Sequence, residues 1–319
     1  MTGPGPGKLS KRLAFRALLK SEKPLVLVGA YDALGARLIA QAGCKSLFIG
    51  GFSVVGARYG VPDVGLRAFA DIAAAVRDIL HACDLPAFVD IDDGYGDLKN
   101  VIQTVQSYER MGAAALMLED QTWPKRCGHL SGKNVVPVEI MEAKVRAATG
   151  ERLDPSTFIF ARTDARAVHG LDDALRRAER YLRAGADGLF IEAPESVEEL
   201  RRIGRAFDVP LVANPLEGGK TPLLTPAEFA ELGFTVIPYG ITLILHAANA
   251  MKAAIADITS GTFARRGEAM SFADYLKVVG EPGWARLQEN MAATDAGRRL
   301  RATRASRLPR PSFRARARR

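Results

Sequence analysis

A chain of 319 residues, 48% hydrophobic and 25% charged, has a globular composition and the length of a single α/β barrel. No apolar run approaches the roughly 18–20 residues that cross a bilayer, which argues against a helical membrane protein. The net charge of +8 is local: residues 297–319 carry ten arginines and no acid, leaving 34 basic against 36 acidic groups elsewhere. Such a run reads as a solvated, disordered tail that touches polyanions only in a salt-dependent way, so nucleic acid is not the expected partner.

The N-terminal stretch MTGPGPGKLSKRLAFRALLK is basic and carries no acid before Glu22. It reads as a short leading helix over about 10–20, with a transit peptide as the alternative. Eight apolar runs of strand length come after it, at 25–30, 46–50, 87–91, 114–118, 157–163, 188–193, 210–214 and 235–240. They alternate with helix-period segments such as YDALGARLIAQAG and LDDALRRAERYLRAGA, each ending near a glycine. This alternation predicts a parallel sheet closed into a (β/α)8 TIM barrel. The expected domains are a catalytic barrel over 1–260 with its short N-terminal helix, a helical extension over 261–296, and the tail over 297–319. Three cysteines, Cys44, Cys83 and Cys127, are too few for a disulfide framework and point to a reducing cytoplasm. Cys44 and Cys83 fall at helix-to-strand junctions and read as packing residues.

Polar residues recur at or just past the C-terminal ends of the predicted strands: Gly50-Gly51, Asp90 and Asp92, Glu119-Asp120, Arg162 with Asp164, Glu192, Asn214 and Tyr239. In a barrel those ends form one mouth, where catalytic groups collect. In VDIDDGYGD, Asp90 and Asp92 stand at i and i+2 and are expected on one face of a strand. With Glu119 from the next strand they form an oxygen-only set that suits Mg²⁺, with Mn²⁺ as a substitute. Asp-Gly and Gly-Asp pairs are also ordinary turn chemistry, so the spacing alone is weak.

The loop after Glu119, EDQTWPKRCGHLSGKNVVP, sets Cys127 among Lys125, Arg126 and His129, with glycines at 128 and 132. Its length predicts a lid. The flanking cations predict a Cys127 thiol with a lowered pKa, poised for proton transfer. One Cys and one His without a second pair of ligands do not make a zinc site. Gly50, Gly51 and Phe52 offer backbone N–H groups to a carboxylate, and Arg162 offers a fork of donors. Glu192 and Asn214 can bond Arg162, a metal-bound water or substrate, with Glu192 acting through water as a candidate base and Asn214 read equally as a strand-end cap; Asp63 either orients the glycine loop or caps the segment after Pro62. Arg166 and His169 read as loop surface.

The motifs DIDDGYGD, EDQ…KRCGH, ARTDA, LFIEA and ANPLEGGKTP, in this order and spacing, resemble the isocitrate lyase/phosphoenolpyruvate mutase superfamily over about residues 10–260. The KRCGH box resembles its lyase branch, which breaks C–C bonds in 2-hydroxy di- and tricarboxylates. The resemblance implies Mg²⁺ held near Asp90, Asp92 and Glu119, and a C1 carboxylate cradled by Gly50, Gly51 and Phe52. It implies Cys127 as general acid, and Arg162, Glu192, Asn214, Gly128 and His129 along the substrate. It also implies a dimer-of-dimers homotetramer with its last helix swapped between neighbours.

The implied reaction is retro-Claisen cleavage of a 2-hydroxy-3-alkyl dicarboxylate, of the 2,3-dimethylmalate or methylisocitrate type, to pyruvate and a carboxylic acid. Hydrolysis or decarboxylation of oxaloacetate on the same scaffold is the alternative. Three departures bear on the choice. The chain has Gly50-Gly51-Phe52 where methylisocitrate lyases carry Ser-Gly-Gly, and Phe48 where they carry tyrosine. Pro215 stands where an acetylhydrolase is expected to have serine.

Overall fold

Eight parallel strands close into one barrel: β1 (Leu25–Gly29), β2 (Leu47–Ile49), β3 (Ala87–Asp90), β4 (Ala115–Glu119), β5 (Phe158–Thr163), β6 (Gly188–Ile191), β7 (Leu211–Val212) and β8 (Val236–Tyr239). The computed structural model describes residues 10–306. β1 pairs with β8 as well as with β2, so the sheet has no free edge. This is the expected (β/α)8 barrel. The helices named from sequence are present as Ala33–Gln41 and Leu171–Arg183, each leading to a glycine, Gly43 and Gly185, at φ +81° and +111°. The leading helix is Lys11–Ser21, with the Ser10 hydroxyl accepting from Leu13 N at its start.

Side chains alternate along each strand, and the two faces meet different surroundings. Val89, Leu116, Leu118, Ile159, Ala161, Leu189, Ile191 and Leu211 pack outward against helices. Leu27, Phe48, Phe88, Met117, Phe158, Phe160, Phe190, Val212 and Val236 fill the interior. The interior is largely a stack of phenylalanines: Phe158 and Phe160 lie 4.5 Å apart, Phe88 and Phe160 4.7 Å, Phe48 and Phe88 5.3 Å. Each such ring contributes roughly 1.5–3 kcal/mol through burial. Phe15 of the leading helix, fully buried, closes the N-terminal end against Phe88 and Phe158.

The same period of two sets the residues beyond the last ring. Continuing inward from Phe48, Phe88, Met117, Phe160, Phe190 and Val212 gives Gly50, Asp90, Glu119, Arg162, Glu192 and Asn214, all of which line one cavity at the C-terminal mouth. Register places Glu119 beside Arg162.

Contacts divide the chain into residues 1–264 and 265–319. The second unit comprises helices Phe272–Val279 and Glu281–Ser306. The last helix thus runs into the segment expected to be a disordered tail; the rest of that expectation, 307–319, lies outside the described residues.

Candidate active site

The cavity at the mouth holds about 60 Å³. Its lid is the segment after β4, zipped at its base by Gln121 pairing antiparallel with Val135 and by Thr122 N donating to Asn134 O at 2.9 Å. The lid lies shut. Lys125 is buried between two carboxylates, 2.6 Å from Asp63 Oδ1 and 2.7 Å from Asp92 Oδ1. Cys127 N donates to Asp63 O at 3.1 Å, so Asp63 docks the lid rather than merely capping a turn. Gly128 passes so close to the barrel that a Cβ there would lie 2.5 Å from both Arg162 Nη2 and Glu192 Cδ. Any larger residue would have to displace those two side chains, which other partners hold in place.

His129 ties the lid to two further loops. Its Nδ1 accepts from Lys220 N at 3.0 Å, which places the ring proton on Nε2, 3.2 Å from Glu192 Oε1. Arg162 is gripped by Asp164 at 2.9 and 3.1 Å and faces Glu192 Oε2 at 3.3 Å and Glu119 Oε2 at 3.4 Å. Burial would raise the Glu192 carboxyl, but Arg162 and His129 outweigh it and hold Glu192 below its usual range.

The acidic side of the cavity is strained in the opposite sense. Burial, then the Asp92 charge, pushes Asp90 up to about 6, and burial with the Asp164 charge pushes Glu119 well above its ordinary value. Glu119 Oε1 is buried without a hydrogen-bond partner. Among the described residues, no group of three or more His, Cys, Asp or Glu side chains converges closely enough to hold a metal ion by itself. The reason lies in the turn after β3. The strand ends at Asp90, and Asp92 adopts φ +49°, so the two aspartates do not share a strand face as their spacing suggested. Asp92 turns instead to Lys125.

A family model described as phosphoenolpyruvate phosphomutase matches residues 15–259. The chain belongs to the isocitrate lyase/phosphoenolpyruvate mutase superfamily, in its lyase branch. It is 41% identical over 236 residues to a 2,3-dimethylmalate lyase of Eubacterium barkeri, covering 74% of this chain and 82% of that protein. It is 42% identical over 247 residues to a 2-methylisocitrate lyase of Halalkalibacterium halodurans, covering 77% and 81%. The structure of an oxaloacetate acetylhydrolase in complex with the inhibitor 3,3-difluorooxalacetate matches with a TM-score of 0.82 at 30% identity, covering 90% of this chain and 97% of that one.

Within this superfamily site, one sequence expectation is reversed. Burial, with Asp63 and Glu192 adding negative charge, raises the Cys127 thiol to about 11 instead of lowering it. The cations expected to stabilise a thiolate are engaged or open to solvent: Lys125 is paired with carboxylates, and Arg126, though it lines the cavity, is exposed, its main chain held by Gln121 at 2.8 and 3.0 Å. Phe52 is 37% exposed on the cavity rim, and Pro215 is buried behind Asn214 without lining the cavity. Asp120, grouped with the rim in sequence, is fully buried and accepts from Thr163 and Tyr181 hydroxyls at 2.7 and 2.8 Å. Arg166 pairs with Glu195 and Glu199 away from the cavity. The sequence places Lys133 among the loop's basic residues without giving it a role; the structure buries it against Asp164 at 2.7 Å. An unpaired lysine in a loop carries no signal that it turns inward.

Proposed function

We propose that the chain is a Mg²⁺-dependent lyase that breaks the C2–C3 bond of a 2-hydroxy-3-alkyl dicarboxylate by retro-Claisen cleavage, releasing pyruvate and a carboxylic acid. The observation that carries this reading is one cavity lined by the Cys127 thiol of the segment after β4 together with Arg162, Asp90 and Glu119; burial, which pushes that thiol up to about 11, suits it to give a proton. The donor set fits a hydrated divalent cation: Glu119 Oε1 is orphaned and both carboxyls are raised, so a cation there relieves the strain. Asp90 and Glu119 would hold it, while Asp92 is engaged by Lys125. When bound, Mg²⁺ supplies Lewis-acid polarisation at the C2 oxygen.

The chain's own residues do the rest. The N–H groups of Gly50, Gly51 and Phe52, at the start of helix Gly51–Tyr59, receive the C1 carboxylate, and Arg162 orients the same end. As C2–C3 breaks, its electron pair moves to C3 and the C2 hydroxyl proton leaves to a base. Gly128 N–H and the His129 side of the lid face the carboxylate on which that charge accumulates. The Cys127 S–H bond then breaks and its proton goes to C3, leaving a thiolate that is reprotonated before the next turnover. Glu192 is already engaged by His129, Ala193 N and Arg162, so its part is to orient them; a carboxylate so held is a poor base.

Phe48 lies edge-on to Phe88 at the cavity floor and leaves that position without a phenol, which favours the dimethylmalate type over the methylisocitrate type. Among the described residues, no helix is long and apolar enough to cross a membrane. The sparse free cysteines favour the cytoplasm. A homotetramer is the proposed assembly. Helix Thr242–Ser260 buries none of its residues and exposes Leu245, Met251, Ile255 and Ile258, a face suited to a second copy.

A panel of 2-hydroxy and 2-oxo diacids, assayed with Mg²⁺ and with EDTA, tests the reading. Pyruvate plus propionate from 2,3-dimethylmalate, abolished by EDTA, is the expected result. Acetate plus oxalate, or CO₂, from oxaloacetate would favour the second reading, which the similarity to oxaloacetate acetylhydrolase supports.

A further inference from the structure

Lys133 closes the lid segment, and its side chain is 1% exposed. Its Nζ donates to the lid's own Gly128 O and to Asp164 Oδ1 at 2.7 Å. The same Asp164 oxygen accepts from Arg162 Nη2 at 3.1 Å, while Oδ2 takes Arg162 Nε at 2.9 Å. Asp164 is fixed from behind, its backbone N donating to the buried Asp120 at 2.9 Å. It therefore cannot follow the lysine outward, and the lid must come to it.

The charge balance around Arg162 gives this contact a consequence. The guanidinium faces three carboxylates, Asp164, Glu119 and Glu192. With Asp164 neutralising Arg162 alone, little positive charge is left for an anionic ligand in a buried, low-dielectric cavity. A second cation on Asp164 Oδ1 takes up part of that negative charge and leaves Arg162 free to attract the ligand.

We propose that Lys133 is a positioning residue that couples the lid to the anion clamp through Asp164: shutting the lid both locks Gly128 in place and restores the pull of Arg162 on substrate. This rests on the lyase reading for its kinetic readout but not for its structural one. Lys133→Met removes the ammonium and keeps the stem, Lys133→Arg keeps the charge, and Asp164→Asn removes the shared carboxylate. Alkylation of Cys127 by iodoacetamide, read by peptide mass spectrometry, reports lid closure whatever reaction the enzyme performs.

Lys133→Met is expected to speed alkylation about 10-fold and to lower kcat/KM about 100-fold, mostly through KM; Lys133→Arg recovers part of both. Asp164→Asn speeds alkylation equally but raises KM far less, because Arg162 keeps its charge. The double variant Lys133→Met/Asp164→Asn is no worse than Asp164→Asn alone. Where Lys133→Met does not fold, Lys133→Gln gives the same readings. Wild-type alkylation together with wild-type KM and kcat in the lysine variants overturns the proposal, as does full additivity in the double variant. Coupled alkylation in a protein that cleaves none of the diacids leaves the latch standing and rejects the lyase reading instead.

Discussion

The two ends of the barrel handle carboxylate charge differently. At the N-terminal end, carboxylates meet donors that were waiting for them. Asp187 takes Arg16 at 3.0 Å, Arg152 at 2.7 Å and Ile159 N at 3.0 Å, and Glu109 takes Leu153 N, Asp154 N and the Thr157 hydroxyl. Bonds from Ser156, then the charge of Arg12, hold Asp154 below its usual range. At the C-terminal end Asp90 and Glu119 are pushed up, Glu119 Oε1 has no partner, and Asp92, Tyr95 and Ala193 adopt positive φ without being glycine. One end uses charge to hold the fold. The other pairs Asp164 and Glu192 with Arg162, Lys133 and His129 but leaves Asp90 and Glu119 raised beside backbone strain, which is where a ligand's binding energy can be used.

The sharpest way to break this contrast is to neutralise one carboxylate at each end. Glu119→Gln is expected to lower turnover about 10³-fold with a smaller loss of thermal stability than Asp187→Asn, since Glu119 meets Arg162 only at 3.4 Å and its Oε1 has no partner. Asp187→Asn is expected to keep turnover and to cost about 2 kcal/mol, a fall in Tm of roughly 4–8 °C. Paired assays and thermal melts decide it; equal stability losses from both variants would erase the distinction. Next in size is Gly128→Ala, whose methyl has no room against Arg162 and Glu192. It should lower kcat/KM about 100-fold with little change in Tm.

Much of the mouth was legible in the sequence because a period of two, carried one step beyond each phenylalanine or its equivalent, lands on Asp90, Glu119, Arg162, Glu192 and Asn214. What failed to show was whatever depends on contacts distant in the chain. The Cys127 thiol sits beside three basic residues in sequence, yet the fold turns Lys125 to Asp63 and Asp92 and leaves the half-buried cysteine near acids. Lys133 finds Asp164 across 31 residues. Asp92 leaves its strand through a left-handed turn that the pattern DIDDG signals only as a turn.

Two smaller effects sharpen the same contrast through pH. A thiol raised to about 11 is protonated at neutral pH, so its alkylation rate should climb about tenfold per pH unit through pH 10 without levelling. A plateau near pH 9 would mean that the sulfur is not buried as described. Asp164 is held down to about 2, because Arg162 and Lys133 outweigh the burial that alone would raise it. A depressed carboxyl contributes stability above its unfolded value of about 4, and loses it as pH falls toward 2. The stability gap between wild type and Asp164→Asn, from denaturant unfolding at pH 5 and pH 2.5, should therefore narrow in acid.

The central claim is that the lid thiol delivers the last proton to carbon. Cys127→Ser tests it most directly, with kcat measured on 2,3-dimethylmalate and Kd measured on the same diacid. The account predicts a kcat lower by about 10²–10⁴-fold with an essentially unchanged Kd. Cleavage at close to the wild-type rate would contradict it.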